Sequence, residues 1–255
     1  MITVRHSLSA GMVALVAMLA ALGTTVHLGL VEWGVGLASG VLVFLAVARG
    51  VVLSGIRTFG PADLVTLSRA TLACAIAAVV AHAFPHGASR STLVALAVLA
   101  LLLDAADGRV ARRTGTSSAF GARFDGEVDA FLLMVLSVYV AHTVGWWVLG
   151  IGAARYLFAA AGWFLPWMCR ELPPRYWRKV VTAVQGIALT WAAAEVSARA
   201  VVALGTAAAL ALLVESFGRD VLWLWVRRDR RTAVSRATSP FDREDPVAAL
   251  SGQHS

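Results

Sequence analysis

DAADGRVARRTGTSSAFGARFDGEVD, residues Asp104 to Asp129, sets charged side chains into a chain that is otherwise strongly apolar. On a helix, Asp104, Asp107, Gly108, Ala111 and Arg112 lie three, four, seven and eight residues apart and share one face. Gly121, Asp125 and Asp129 recur every fourth residue, which again gives one face. The connector RTGTSSAF contains Gly115 and several hydroxyl residues, suited to ending one helix and capping the next. The spacing predicts two antiparallel helices that turn four carboxylates toward a shared volume.

Four carboxylates in one volume repel each other and protonate or splay unless a cation joins them. Hard divalent ions prefer oxygen ligands, so Mg2+ or Mn2+ suits this set. Two such ions about 3.5–4 Å apart stabilise the attacking and leaving oxygens of a displacement at phosphorus. Gly108 removes a side chain where a ligand must approach the backbone, and Arg112 on the same face suits a phosphate. The residues alone point to metal-assisted phosphoryl-type transfer. A solvated helix end would explain the charges, but not the period of four or the two glycines.

The 255 residues are 59% hydrophobic with a mean hydropathy of +0.75, which indicates a polytopic membrane protein. The net charge of +7 is carried almost wholly by arginines at the ends of apolar runs. That placement fits cytoplasmic loops and anionic lipid rather than nucleic acid. Cys74 and Cys169 have no metal-type spacing and imply no disulfide framework.

Eight apolar spans are expected, each near the ~20 residues of a bilayer crossing. They cover approximately Gly11–Leu22, Leu28–Ala48, Leu64–Phe84, Thr92–Ala111, Ala122–Val144, Trp146–Met168, Val180–Ser197 and Val201–Trp225. Arg5 and His6 before the first run also fit a signal peptide, although no small-x-small cleavage site stands out. Arg5, Arg49, Arg57, Arg109, Arg112, Arg113, Arg170, Arg175, Arg178, Lys179 and the RRDRR run fall on one set of ends. Only Arg90 and Arg199 fall on the other. This asymmetry predicts a cell-membrane protein with both termini and the aspartate motif on the cytoplasmic side. Trp33, Trp146, Trp147, Trp177, Trp223 and Trp225 lie near span ends, as interfacial anchors do.

The pattern D-x2-D-G-x2-A-R-x8-G-x3-D-x3-D resembles that of the CDP-alcohol phosphotransferases. Asp104, Asp107, Gly108, Ala111, Arg112, Gly121, Asp125 and Asp129 fill every fixed position. The resemblance implies an all-α integral membrane enzyme. Its organisation would be two extra N-terminal helices in residues 1–50, a six-helix core in 51–226 and a polar, disordered tail in 227–255. It implies a CDP-alcohol donor, most often CDP-diacylglycerol, a hydroxyl acceptor, CMP as leaving group and a homodimer. Asp104, Asp107, Asp125 and Asp129 would hold two Mg2+ or Mn2+ ions, and Asp129 would act as general base on the acceptor. Asp104, Gly108, Ala111, Arg112 and Gly121 would surround the nucleotide and its diphosphate, Gly121 by allowing close helix approach.

Pro61 to Arg69, PADLVTLSR, is similar to the family's P-A-N-x-x-T-x-x-R segment, with Thr66 and Arg69 matching as further nucleotide contacts. Asp63 stands where the family has Asn, and it either joins the metal site or caps the third helix, capping being the commoner role. Lys179, Thr182 and Gln185 match the K-x-K-T-x-x-Q segment of phosphatidylglycerophosphate-synthase-like members, with Val181 in place of the second lysine. They are candidates for the acceptor's phosphate, and positive-inside anchoring is the plain alternative for Lys179. Arg155 lies deep in the sixth span, where an arginine is costly and usually faces a ligand or a polar interior; acceptor-phosphate binding is favoured there over a structural ion pair. Glu215, Arg219 and Asp220 read as one polar cluster, and His82 and His86 flank Pro85 too awkwardly to hold a metal.

Three functions compete. The first is phosphatidyl transfer from CDP-diacylglycerol to a phosphorylated polyol such as glycerol 3-phosphate or an inositol phosphate. The second keeps the chemistry with a soluble CDP-alcohol and a lipid acceptor. The third is a divalent-cation transporter, which leaves Gly108, Ala111 and Arg112 unexplained. Arg155 and Lys179 favour the first, because an anionic acceptor needs cations.

Overall fold

The chain's long apolar runs become α-helices because an apolar medium leaves the backbone no partners except its own. The computed structural model describes residues 2–56, 58–87, 90–114, 118–169 and 176–237. Within those ranges, side chains are described except at 2, 85–86, 107, 110–114, 119, 166, 169, 176 and 227–237. The helices are α1 Val4–Val26, α2 Leu30–Ser54, α3 Pro61–His86, α4 Arg90–Thr114, α5 Ala119–Thr143, α6 Leu149–Phe164, α7 Tyr176–Ala194 and α8 Arg199–Ala237. Among the described residues, five helices are long and apolar enough to cross a membrane: α1, α2, α3, α6 with its leading turn, and α8 to Val226. The protein is a multi-pass, all-α membrane protein. α4 and α5 owe their lower apolarity to the charged residues of the aspartate motif, and α7 to Arg178 and Lys179 near its start.

α3 is the hub. It packs against α1, α2, α4 and α5, and the share of its span buried inside the bundle, 78%, far exceeds the 22–28% of the other four candidate spans. The sequence explains this, because Ala70, Ala73, Ala75, Ala77 and Ala78 let several helices approach one axis. α1 contributes Leu15 and Leu19, both fully buried, so the first apolar run is an integral part of the bundle. At the other end of α2, Glu32 pairs with His82 of α3 at 3.5 Å, both buried.

α5 and α6 form a tight pair. A Cβ built at Gly152 of α6 would lie 2.5 Å from the Met134 Cα of α5. Gly152→Ala must therefore push two backbones apart. A loss of about 1–3 kcal/mol is expected, read as a lower thermal midpoint in detergent. An unchanged midpoint would mean that the two helices do not meet there.

Three features depart from the sequence reading. Ile2–Thr3 pairs antiparallel with Thr58–Phe59, a ribbon too short for any periodicity to announce. The sixth span breaks after Phe164, where Pro166–Cys169 form a 3-10 turn, since proline cannot continue the helical ladder. α8 runs past Val226 to Ala237, into the stretch expected to be a disordered tail, while residues 238–255 lie outside those described.

Candidate active site

Each of three helices carries part of one charged cluster. Asp104 comes from α4, Asp125 and Asp129 from α5, and Arg69 from α3, which packs against both. One oxygen from each of the three carboxylates lies within 4.8 Å of the others. Arg69 is 1% exposed and reaches all three: its Nη1 lies 2.9 Å from Asp104 Oδ1 and donates to Asp125 Oδ1, while its Nη2 donates to Asp129 Oδ1. The three aspartates are half-buried, so the cluster opens toward solvent on the carboxylate side while the arginine is sealed beneath.

One guanidinium against three carboxylates leaves excess negative charge in a partly desolvated site. Three carboxylate oxygens this close, with charge to spare, could hold a hard cation that takes oxygen ligands. Asp107, Ala111 and Arg112 belong to the α4 backbone, but their side chains lie outside those described. Gly108 is on α4 between Asp104 and Arg112.

The start of α5 is built as the connector predicts. Ser118 caps it, accepting from the Gly121 N–H at 2.8 Å. A Cβ at Gly121 would lie 2.9 Å from Asp63 Oδ1, so this glycine lets α5 close on the start of α3. Asp63 Oδ2 meanwhile accepts from the Gly60 N–H at 2.8 Å, so from the third position of α3 it satisfies the backbone of the capping residue Gly60. Asp63→Asn should hold stability and Mn2+ affinity, whereas Asp63→Ala should cost about 1 kcal/mol in thermal unfolding. A large loss of Mn2+ affinity in the asparagine variant would assign Asp63 to the metal instead.

Arg69, expected beside the nucleotide, is engaged by the carboxylates. Thr66 is buried, and its hydroxyl donates to the Ala62 carbonyl at 3.1 Å. Arg155 reaches from α6 to α5, its Nη2 2.6 Å from Glu127 Oε1, so the sequence expectation of a cation facing a ligand meets an ion pair here. It also lines a 210 Å3 cavity between α6, α7 and α8 together with Thr182, Val181, Arg178, Ser216 and Asp220. Lys179 is exposed and within electrostatic reach of Asp104. Gln185 is fully buried and donates to the Ala209 carbonyl of α8 at 2.8 Å, in the seam between α7 and α8.

Asp220 corrects a sequence reading. Glu215 and Arg219 pair along α8, but Asp220 is buried and faces Arg178 of α7 at 3.7 Å. The five-residue offset from Glu215 to Asp220 points the two acids to different sides of the helix, which the sequence already contained. The partnership of Arg69 with the acids was also missed. A lone arginine inside a helix as apolar as α3 was the available signal, since such a charge requires a counter-charge.

The fold and this cluster define a multi-pass membrane protein with a group of carboxylates that could hold a metal ion. The sequence profile of the CDP-alcohol phosphatidyltransferase family matches residues 59–215, which take in Arg69 and all three aspartates. The chain belongs to that family, and its activity is transfer of a phosphatidyl-type group from a CDP-alcohol to an alcohol acceptor. No curated protein and no solved structure matches the chain.

Proposed function

We propose that the protein transfers a phosphatidyl group from CDP-diacylglycerol to a phosphorylated polyol, releasing CMP, at the cluster of Asp104, Asp125 and Asp129. The convergence of these carboxylates from two helices carries the reading, because nothing in packing alone gathers three acids around one arginine. Asp107 would complete the metal ligands, as its place in the motif implies. Two divalent ions, when bound, neutralise the diphosphate and ease cleavage of its P–O bond.

Asp129 accepts the proton of the acceptor hydroxyl at a carboxylate oxygen. The acceptor oxygen then bonds to the phosphorus bearing the diacylglycerol, the bond from that phosphorus to the bridging oxygen breaks, and CMP leaves with the bridging oxygen. Arg69 holds Asp125 and Asp129 in one volume, which limits the reorganisation they need during the reaction. Gly108, Ala111, Arg112 and Gly121 would surround the nucleotide, while Thr66, bonded to the Ala62 carbonyl, and Arg69, beneath the carboxylates, would support that site from within.

Acceptor recognition is assigned to Arg155, Lys179 and Thr182, with Gln185 as support from behind. The 210 Å3 cavity between α6, α7 and α8 supports Arg155 and Thr182, since it gathers them with Arg178. Arg155 and Arg178 are paired with Glu127 and Asp220, so an anionic acceptor would draw them from those carboxylates. Val181 on the cavity wall is a plain hydrophobe where a second lysine would have added charge. The loop arginines support a cytoplasmic position for the cluster at the cell membrane, where soluble acceptors and CMP would exchange. The working unit is a homodimer of the six-helix core, residues 51–226, preceded by two added helices.

The test is CMP release by the purified full chain with Mg2+ or Mn2+. CDP-diacylglycerol and CDP-choline serve as alternative donors, with glycerol 3-phosphate and inositol phosphates as acceptors. Turnover with CDP-diacylglycerol and a phosphorylated polyol is expected. Turnover only with CDP-choline and diacylglycerol would reverse the donor and acceptor roles. Cation flux in liposomes without nucleotide turnover would remove the enzyme reading altogether.

A further inference from the structure

A second cavity, of 530 Å3, lies between α2, α5 and α6, with Ala70 of α3 at its back. Its walls are mainly apolar, including Ala46 and Val47 of α2, Phe124 and Phe131 of α5, and Tyr156 of α6. Arg123 and Glu127 stand on the α5 side, near the level of the carboxylate cluster. On α5, Phe120, Arg123, Phe124, Glu127 and Phe131 follow offsets of three, four, seven and eleven and form one face, while Asp125 and Asp129 point away from it. The cavity and the carboxylate cluster are therefore on different sides of the same helix. The α2 wall lies outside residues 59–215, so this space is completed by a helix added to the family core.

Three observations identify the occupant. The volume falls in the ~300–1,000 Å3 range of sites that enclose a molecule. Leu42 and Leu53, on the α2 side, are 69% and 75% exposed, so the cavity lies beside helix surface that faces the bilayer, and the molecules available there are lipids. Glu127 is paired with Arg155 at 2.6 Å, while among the described residues no carboxylate lies within 4 Å of the exposed Arg123. The charged end is thus net positive, and the rest is apolar.

We infer that this cavity binds one anionic glycerophospholipid of the surrounding leaflet, with an acyl chain between α2 and α5 and the headgroup phosphate at Arg123. The lipid joins the added N-terminal helices to the catalytic core without entering the reaction.

The experiment counts lipids bound to the purified full chain by native mass spectrometry in matched phosphatidylglycerol and phosphatidylcholine micelles. It is run in the Asp129→Asn background, so that its outcome is independent of turnover. Preference for phosphatidylglycerol of about tenfold is expected. Arg123→Gln should abolish the preference while retaining chain binding, and Ala46→Trp should fill the shaft and lose both. Because Arg123 is exposed, its variant carries the test even if Ala46→Trp does not fold. Equal retention of the two lipids by the parent chain would overturn the inference. So would an undiminished phosphatidylglycerol preference in Arg123→Gln, or a lipid-free dimer that Ala46→Trp dissociates, which would give the cavity to a second copy of the chain.

Discussion

Asp129→Asn is expected to lower CMP release by about 10²–10⁴-fold, the range set by loss of a positioned proton acceptor. The substitution keeps the size and polarity of the side chain and removes its ability to take a proton. Donor binding should change much less, because Asp104 and Asp125 remain as carboxylates able to hold a metal for the diphosphate. The measurement is kcat against KM for the CDP-alcohol at saturating acceptor. A fall confined to KM would make Asp129 a binding group, and an unchanged rate would remove it from the chemistry.

The second large effect concerns stability. Arg69 is sealed in the bundle against Asp104, Asp125 and Asp129, so Arg69→Ala leaves three acids in one partly buried volume with no internal cation. Removing one partner of a buried pair costs about 3–5 kcal/mol. In EDTA, thermal unfolding of the variant in detergent should show a midpoint of order 10 °C lower than the parent. Added Mn2+ should recover a larger share of that loss in Arg69→Ala than it adds to the parent, because only the variant lacks a cation of its own. Arg69→Lys should fall between, since an ammonium cannot span three carboxylates in one plane as a guanidinium does. A variant as stable as the parent in EDTA would show that the acids do not depend on the arginine.

How much of this was legible in the sequence depends on the range of the interaction. α1, α2, α3 and α8 are apolar for twenty residues or more, and length with composition suffices to find them. The common face of Asp125 and Asp129 follows from a spacing of four, which is local geometry. The Ser118 cap was likewise written in the connector. Arg69 meets Asp125 and Asp129 from 56 and 60 residues away, and no local period encodes such a meeting. The same holds for Arg178 and Asp220, which meet only once α7 and α8 pack. The Ile2–Thr3 ribbon was invisible because two residues show no alternation. The extension of α8 to Ala237 was missed because polarity was read as disorder, although Arg and Ala are both good helix formers.

Mn2+ titration of the purified chain, followed by electron paramagnetic resonance, tests the central claim most directly. Two Mn2+ ions per chain with a spin-coupled spectrum are predicted. Asp104→Asn and Asp125→Asn should each weaken binding of the pair, while Asp63→Asn should leave it intact. A parent chain that takes up no Mn2+, or one whose uptake is indifferent to both Asp104 and Asp125, would contradict the account.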